Sequence, residues 1–482
     1  MGTLRGAMHR RFLVLLLACL LLGLRLRPER GDYVALIQEG DAHAALKEYS
    51  FAARAYRQAA TLRPGSSVPL LRLGETFLAQ AWYDRAQAAL LTAHRKSGWT
   101  PELHLRMGQL YQGMGLETEA IAQWEVALAE DAHLAEARLQ LGWAYLHREA
   151  WDDARAAFEA ILACWDNAHR QRWQAAHYGL GLLLMPEDLT AALHHLQIAA
   201  GGADQAMADR AIVLGAAVEQ ASSSADRVHV VALLGEAYVR AEAWSLARRA
   251  LSQALAAEPA YAEAMAYLGH ALDHLGHPTE AGHHLQRAVQ LAPTATVPRY
   301  LLGLYYQRHG RSREAAFQYR QALKLAPHNA ALYAELGKSW LAEQNYVDAE
   351  IAFRAAAELE PDHAGFQLLL ARFYVDHLVK VRTHGLLAAH DAARLNPDDA
   401  EAFDVLGWAY CLAGYLDEAE HTLSRAVALD PDLASARYHL GVVQRQLGHP
   451  AEADYQFWRA VDLDRDGYYR SRAMQALGLP AE

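Results

Sequence analysis

Apolar side chains recur along most of the chain at intervals of three and four residues, the spacing that places them on one face of a helix. Tyr333, Leu336 and Trp340 follow this spacing. Between residues 228 and 363 the pattern occurs four times with a period of 34 residues. Each copy contains a Leu-Gly pair, two small residues downstream and a closing proline. The glycines are Gly235, Gly269, Gly303 and Gly337, the small residues are Ala247, Ala281, Ala315, Ala349, Ala254, Ala288, Ala322 and Ala356, and the prolines are Pro259, Pro293, Pro327 and Pro361.

The recurring glycine and proline predict a helical hairpin as the unit. Glycine inside a helix costs about 1 kcal/mol relative to alanine, so its recurrence indicates the close approach of a neighbouring helix. Proline lacks an N–H group and ends the second helix. Because one such unit cannot bury its apolar face alone, the period predicts a stack of hairpins.

At these residues the chain resembles the tetratricopeptide repeat (TPR) family, whose motif places Leu-Gly, an aromatic, glycine, alanine, a second aromatic, alanine and proline at fixed offsets. The first aromatic is Tyr238, Tyr306 or Trp340, and the second is Tyr319 or Phe353. The resemblance implies an all-α fold, a right-handed superhelical solenoid of TPR helix-turn-helix repeats.

The same glycine spacing extends the repeats in both directions, to about twelve in total. The front array, residues 33–206, is predicted to contain repeats at 33–66, 67–100, 101–134 and 135–168 and a degenerate repeat at 174–206, in which Pro186 ends the first helix. The rear array, residues 228–467, is predicted to contain repeats at 228–261, 262–295, 296–329, 330–363, 364–399, 400–433 and 434–467. Residues 468–482 are predicted to form a capping helix.

Residues 207–227 interrupt the period and are predicted to form a linker helix. Two interpretations stay open. The helix is either a boundary between two subarrays or a half repeat that stacks like its neighbours.

The first 30 residues have the character of a targeting segment. Arg5, Arg10 and Arg11 precede an apolar run at residues 12–24, and Arg25 and Arg27 follow it. The run is shorter than the roughly 20 residues of a spanning helix, but it suits an export signal or an uncleaved anchor. We therefore expect membrane association through residues 12–24, with the protein membrane-anchored or exported. Because basic residues lie on both sides of the run, the cytoplasmic face of the membrane is the alternative location.

Charge and cysteine content exclude some functions. The net charge is −11, and because the N-terminal segment is basic the repeats are more acidic than the whole. Such a surface is poorly suited to neutralising phosphates, so no nucleic-acid partner is expected. Cys19, Cys164 and Cys411 lie far apart and form neither a disulfide framework nor a metal motif. Cationic partners remain compatible with this charge.

The repeats occupy residues 33–467, which leaves no room for a catalytic domain, and we predict neither enzymatic activity nor a cofactor. Histidine offers the alternative, an enzyme or metal-binding protein that uses His270 and His274, which are four residues apart on one predicted helix. Such a pair can bind zinc or nickel, but a specific site needs a third or fourth ligand. Ordinary polar surface residues are the favoured interpretation, so no metal site is predicted.

The TPR resemblance implies a scaffold that binds a protein or peptide partner in its concave groove. In the family, ligand contacts come from the first helix of each repeat, three residues before, one after and four after the Leu-Gly glycine. These positions hold Leu71, Leu105, Leu139, Trp143, Leu146, Tyr300, Leu304, Gln307, Trp408, Cys411 and Tyr438. A second functional alternative is an accessory subunit of an envelope glycosyltransferase or secretion complex.

Overall fold

The computed structural model describes residues 30–163, 170–185, 187–464 and 467–479, and its regular structure in these ranges is helical. The predicted all-α class is confirmed. The predicted membrane segment, Cys19, Cys164 and Pro186 lie outside the described residues. The chain divides into two compact units, residues 1–99 and 100–482. Within the described ranges, no helix combines the length and apolar character needed to cross a membrane.

The first unit contains two helical hairpins. Its helices span Arg30–Ala45, Tyr49–Leu62, Val68–Ala79 and Tyr83–Ser97. Tyr56 and Leu90 are almost completely buried and pack against the glycines of the preceding helices, Gly40 and Gly74.

The described part of the second unit contains ten helical hairpins, one additional helix and a short closing helix. The first helices of the hairpins span Pro101–Gly113, Ala135–His147, Arg170–Leu184, Arg227–Arg240, Ala262–His274, Thr296–Arg308, Ala330–Ala342, Ala364–Asp376, Ala400–Ala413 and Ala434–Leu447. The second helices span Glu117–Glu130, Trp151–Ala163, Leu189–Ala200, Trp244–Ala257, Pro278–Leu291, Ser312–Leu325, Tyr346–Leu359, Leu386–Leu395, Leu416–Leu429 and Pro450–Leu463. The closing helix spans Tyr468–Ala476.

The repeated glycine lies where the two helices of a hairpin come closest. A Cβ atom on Gly108 would lie 2.3 Å from the indole nitrogen of Trp124, and one on Gly303 would lie 2.4 Å from the Tyr319 ring. Real Cβ contacts are longer than this, so the large side chain of the second helix occupies the space that glycine leaves. The close helix approach predicted from the glycine spacing is therefore present.

Residues Gln205–Ser222 form an additional helix without a hairpin partner of its own, and we call it the lone helix. It buries Ala211, Leu214 and Val218 in a core cluster that runs on from residue 146 to residue 281. The hydroxyl of Tyr238, on the next first helix, donates a 2.7 Å hydrogen bond to the carbonyl of Leu182. The core is thus continuous across residues 207–227.

The altered repeat at 364–399 has a π-helical turn, Val381–Gly385, before its second helix. Lys380, at the start of this turn, has a left-handed backbone (φ 46°) and donates a 2.7 Å hydrogen bond to Glu350. The repeat at 364–399 is two residues longer than the 34-residue period, and this turn accommodates the extra length. At the end of the described chain, the closing helix packs Ala473 against Phe457 and Val461 and covers the apolar face of the last hairpin.

Candidate protein-binding surface

The first helices of the second unit carry all the predicted binding positions except Leu71, and we call the surface at these positions the first-helix face. Leu139 is half-buried there, and Leu71, in the first unit, is also half-buried. Leu105 and Leu146 are buried, with 1% and 9% of their surface exposed. Leu105 packs in the core around Trp124, whose indole N–H donates a 3.2 Å hydrogen bond to the Leu105 carbonyl. Both leucines therefore fill space between helices and expose little surface that a partner could contact.

Trp143 is half-buried, and one side of its ring is packed. Its ring centroid lies 4.9 Å from that of Phe158 in an edge arrangement and 6.1 Å from that of Tyr178. Trp143 also lines a cavity of about 380 Å³ whose walls include Trp124. At this cavity Nδ1 of His147 lies 2.9 Å from Oε1 of Glu117. Trp143 thus belongs partly to the core and partly to an accessible depression.

Charged groups connect the first helices of the front part of the second unit. Glu136 accepts hydrogen bonds from Arg106 and Gln109, both 2.9 Å long, and from Arg172 at 3.1 Å. Burial opposes ionisation of Glu136, but the charges and hydrogen bonds of these neighbours outweigh it and lower the pKa of the Glu136 carboxyl. The network joins three consecutive first helices.

Tyr300, Leu304 and Gln307 lie together on the first helix of repeat 296–329, and all three are half-buried. The side-chain oxygen of Gln307 accepts a 2.9 Å hydrogen bond from the Tyr319 hydroxyl. Burial raises the pKa of Tyr300, whose ring lies 6.3 Å from that of Tyr319. Leu304 is therefore the apolar position of this repeat that a partner can contact. The side-chain oxygen of Gln307 is already bonded to Tyr319.

Trp408 and Tyr438 come together in an aromatic cluster that they form with His439 and Tyr469. Trp408 stacks on His439 at 4.4 Å with an interplanar angle of 11°. The rings of Tyr438 and Tyr469 lie 5.8 and 5.6 Å from that of His439. Nδ1 of His439 donates a 2.8 Å hydrogen bond to the buried Asp404 carboxylate. A fixed histidine therefore holds Trp408 in place on the first-helix face.

Several members of this surface are absent from the sequence prediction. Asp404 lies three residues before Gly407, an offset expected to contact ligand, and the offset alone identifies it. Asp273, four residues after Gly269, is a similar case and is paired with Arg308 and His309. His439 and Tyr469 have no signal in the repeat period, because their contacts join different repeats. Cys411 is half-buried with a free thiol, and burial raises its pKa.

The histidine pair at 270 and 274 is packed against other side chains, in contrast to the expected ordinary surface residues. The two rings lie 4.8 Å apart, but His274 stacks on Trp244 at 3.7 Å and accepts a hydrogen bond from Arg308. Burial, together with the charges of His274 and Arg308, lowers the pKa of His270 to about 4. Among the described residues, no group of three or more histidine, cysteine or acidic side chains is arranged to hold a metal ion.

Stacked helical hairpins with a side-chain surface on their first helices define the class of repeat proteins that act as protein-interaction scaffolds. The family model described as tetratricopeptide repeat matches residues 105–169, 233–296, 300–375 and 406–467, more than half of the chain. The chain belongs to the tetratricopeptide repeat family, as its sequence predicts. Proteins of this family bind protein or peptide partners.

Comparison with solved structures finds other repeat proteins. The match with yeast Tom70 covers 92% of this chain and 95% of the Tom70 chain, at 16% identity and a TM-score of 0.41. The Cut9-Hcn1 hetero-tetramer of the APC/C matches 86% of this chain and 96% of its own, at 16% identity and a TM-score of 0.40. YrrB, a TPR protein with an unusual peptide-binding site, matches 40% of this chain and 98% of its own, at 22% identity and a TM-score of 0.33. No curated protein matches the sequence.

Proposed function

We propose that the protein is a non-enzymatic scaffold that binds a segment of a partner protein along its first-helix face. The aromatic cluster of Trp408, Tyr438, His439 and Tyr469 carries this proposal. Large aromatic side chains that are held rigidly and remain partly exposed lose little entropy on binding and bury much apolar surface. Trp143, beside its cavity, offers a second contact of the same kind.

The cluster is better suited to binding than to catalysis. The Asp404–His439 pair is buried, with 6% and 11% of the side chains exposed, and Trp408 covers the histidine ring. The nearby thiol of Cys411 has a raised pKa, which opposes formation of a nucleophilic thiolate. Trp408 presents the accessible surface, and the partner is expected to contact it directly.

Trp408→Ala is expected to weaken partner binding about tenfold or more, and Trp143→Ala to weaken it less, because one side of Trp143 already packs in the core. The partner is first captured on the immobilised full chain. It is then titrated against wild type and each variant, and the dissociation constants are compared. Phe317→Ala is the matched control, since Phe317 is 55% exposed on a second helix. Unchanged affinity in both tryptophan variants, with normal melting curves, would contradict the proposed surface.

We also propose that residues 12–24 associate the protein with a membrane, as an anchor or an export signal. The support is the sequence alone, in which arginines flank an apolar run of 13 residues.

Fractionation of cells that produce the full chain tests this proposal. The wild type is expected in the membrane or exported fraction, and replacement of Leu15, Leu16 and Leu17 by aspartate is expected to move most of it to the soluble cytoplasmic fraction. Replacement of the exposed Leu387 by aspartate is the control. Equal distribution of wild type and the triple variant would refute membrane association through this segment.

A further inference from the structure

A cleft lies between the lone helix and the first helix that follows it. Val213, Ala216, Ala217 and Gln220 project from it at helical spacing toward the following first helix, Arg227–Arg240. The opposite wall of the cleft consists of Leu233, Glu236, Ala237 and Arg240 of that helix, which have the same spacing. Because alanines meet across the gap, the two helices leave a cavity of about 270 Å³ between them.

The apolar surface of the lone helix continues outside the cleft. Ile212 is 56% exposed and Val213 is 38% exposed. Ala216 is also exposed, whereas Ala237 at the floor is buried. Exposed aliphatic side chains beside a small-residue cleft form an apolar surface to which a partner helix can add its own side chains.

The surroundings of the cleft are acidic. Residues 204–263 contain eight carboxylates and five cationic side chains. Two of these cations, Arg248 and Arg249, are engaged elsewhere, with Glu149 and the Trp151 ring. The exposed carboxylates of this stretch are Asp204, Asp209, Glu219, Asp226, Glu242, Glu258 and Glu263, of which Glu242 is paired with Arg210 at 2.5 Å. A cationic partner therefore gains Coulomb energy here.

Glu236 connects the cleft with this acidic surface. It accepts a 2.6 Å hydrogen bond from Arg240, whose side chain is 64% exposed and also lines the cleft. Next to it, burial and the charges of Glu263, Glu258, Glu236 and Asp226 raise the pKa of the Tyr261 hydroxyl. Of these carboxylates, Glu236 lines the cleft and Asp226 caps the start of helix Arg227–Arg240.

We propose that the cleft between the lone helix and helix Arg227–Arg240 binds a basic amphipathic helix of a partner protein. Aliphatic side chains of that helix fill the alanine-walled cavity, and its lysine or arginine side chains pair with Glu236 and the adjacent carboxylates. The site is separate from the aromatic cluster at Trp408, so it goes beyond the proposed function and does not depend on it.

A synthetic helical peptide of leucine and lysine, about 14 residues long, tests the proposal with the full chain. Fluorescence anisotropy is expected to show binding that weakens as salt increases. The control peptide carries glutamate in place of lysine and is expected to bind at least about tenfold more weakly. Equal binding of the acidic and the basic peptide overturns the proposal.

Two variants locate the peptide. Ala217→Leu fills the cleft and is expected to weaken binding about tenfold, and Glu236→Gln about fivefold with a smaller salt dependence. Ala428→Leu, at an exposed alanine of a second helix, is the matched control and should bind normally. If Ala217→Leu lowers the melting temperature of the protein, its peptide affinity is not interpreted, and the affinity of Glu236→Gln alone tests the location of the peptide. Wild-type affinity in Glu236→Gln, or loss of the peptide in Trp408→Ala, overturns the assignment to this cleft.

Discussion

Gly108→Ala is expected to destabilise the protein by about 3 kcal/mol. The new methyl group would lie 2.3 Å from the Trp124 indole nitrogen and 2.5 Å from its Cδ1 atom. Trp124 is fully buried, and its N–H group is committed to the Leu105 carbonyl, so the ring cannot turn aside without losing this hydrogen bond. The strain exceeds the ~1 kcal/mol by which alanine is the better helix former.

The matched control for Gly108→Ala is Gly215→Ala, which is expected to increase the free energy of unfolding. Gly215 lies in the interior of the lone helix, and the nearest atom to a Cβ there is Cδ1 of Leu193 at 3.7 Å, an ordinary contact. Gly215→Ala should therefore stabilise the protein by up to about 1 kcal/mol. Urea unfolding followed by circular dichroism measures both variants. A Gly108→Ala protein at least as stable as wild type would show that the hairpin does not need its glycine.

Acidification from pH 7 to pH 5 is expected to remove about 2 kcal/mol of stability through His177 alone. Its side chain is 5% exposed, its Nε2 atom is buried without a partner, and its Nδ1 atom lies 2.7 Å from Nδ1 of His195. Burial, with the charges of His195 and His194, lowers the pKa of His177 to about 4. Between this value and the ordinary histidine pKa of about 6.5, the unfolded chain takes up a proton that the folded chain does not. Stability therefore falls as the pH falls.

His177→Gln removes this titration while keeping a side chain able to hydrogen-bond to His195. Urea midpoints at pH 7 and pH 5 should show a loss on acidification that is about 2 kcal/mol smaller than in wild type. His283→Gln, at an exposed histidine on a second helix, is the control and should behave as wild type. An identical pH dependence in His177→Gln and wild type would show that His177 takes up its proton without strain in the folded protein.

Much of the fold follows from local rules, which explains why the sequence predicts it well. The Leu-Gly and alanine positions fix the inner surfaces of each hairpin, and Gly303 and Tyr319 meet as their spacing requires. The binding surface is less predictable because exposure depends on what the neighbouring repeat supplies. Leu105 and Trp143 occupy ligand-contact offsets in adjacent repeats, yet Leu105 is buried and Trp143 borders a cavity.

The lone helix shows the same limit. The sequence predicts a helix where residues 207–227 interrupt the period, and it leaves open whether that helix stacks on its neighbours. The packed structure places Ala211, Leu214 and Val218 of this helix in a core continuous with the repeats on both sides. It also leaves a cleft beside Ala217 and Ala237.

By itself the sequence determined the helical hairpin, its period, the family and the acidic character of the repeats, because these depend on residues close together in the chain. The tertiary structure decided which aromatic residues stay accessible, that His439 and Asp404 hold Trp408, and that the lone helix opens a cleft. Those features depend on side chains from different repeats, whose contacts are set by the shapes that fill the space between helices.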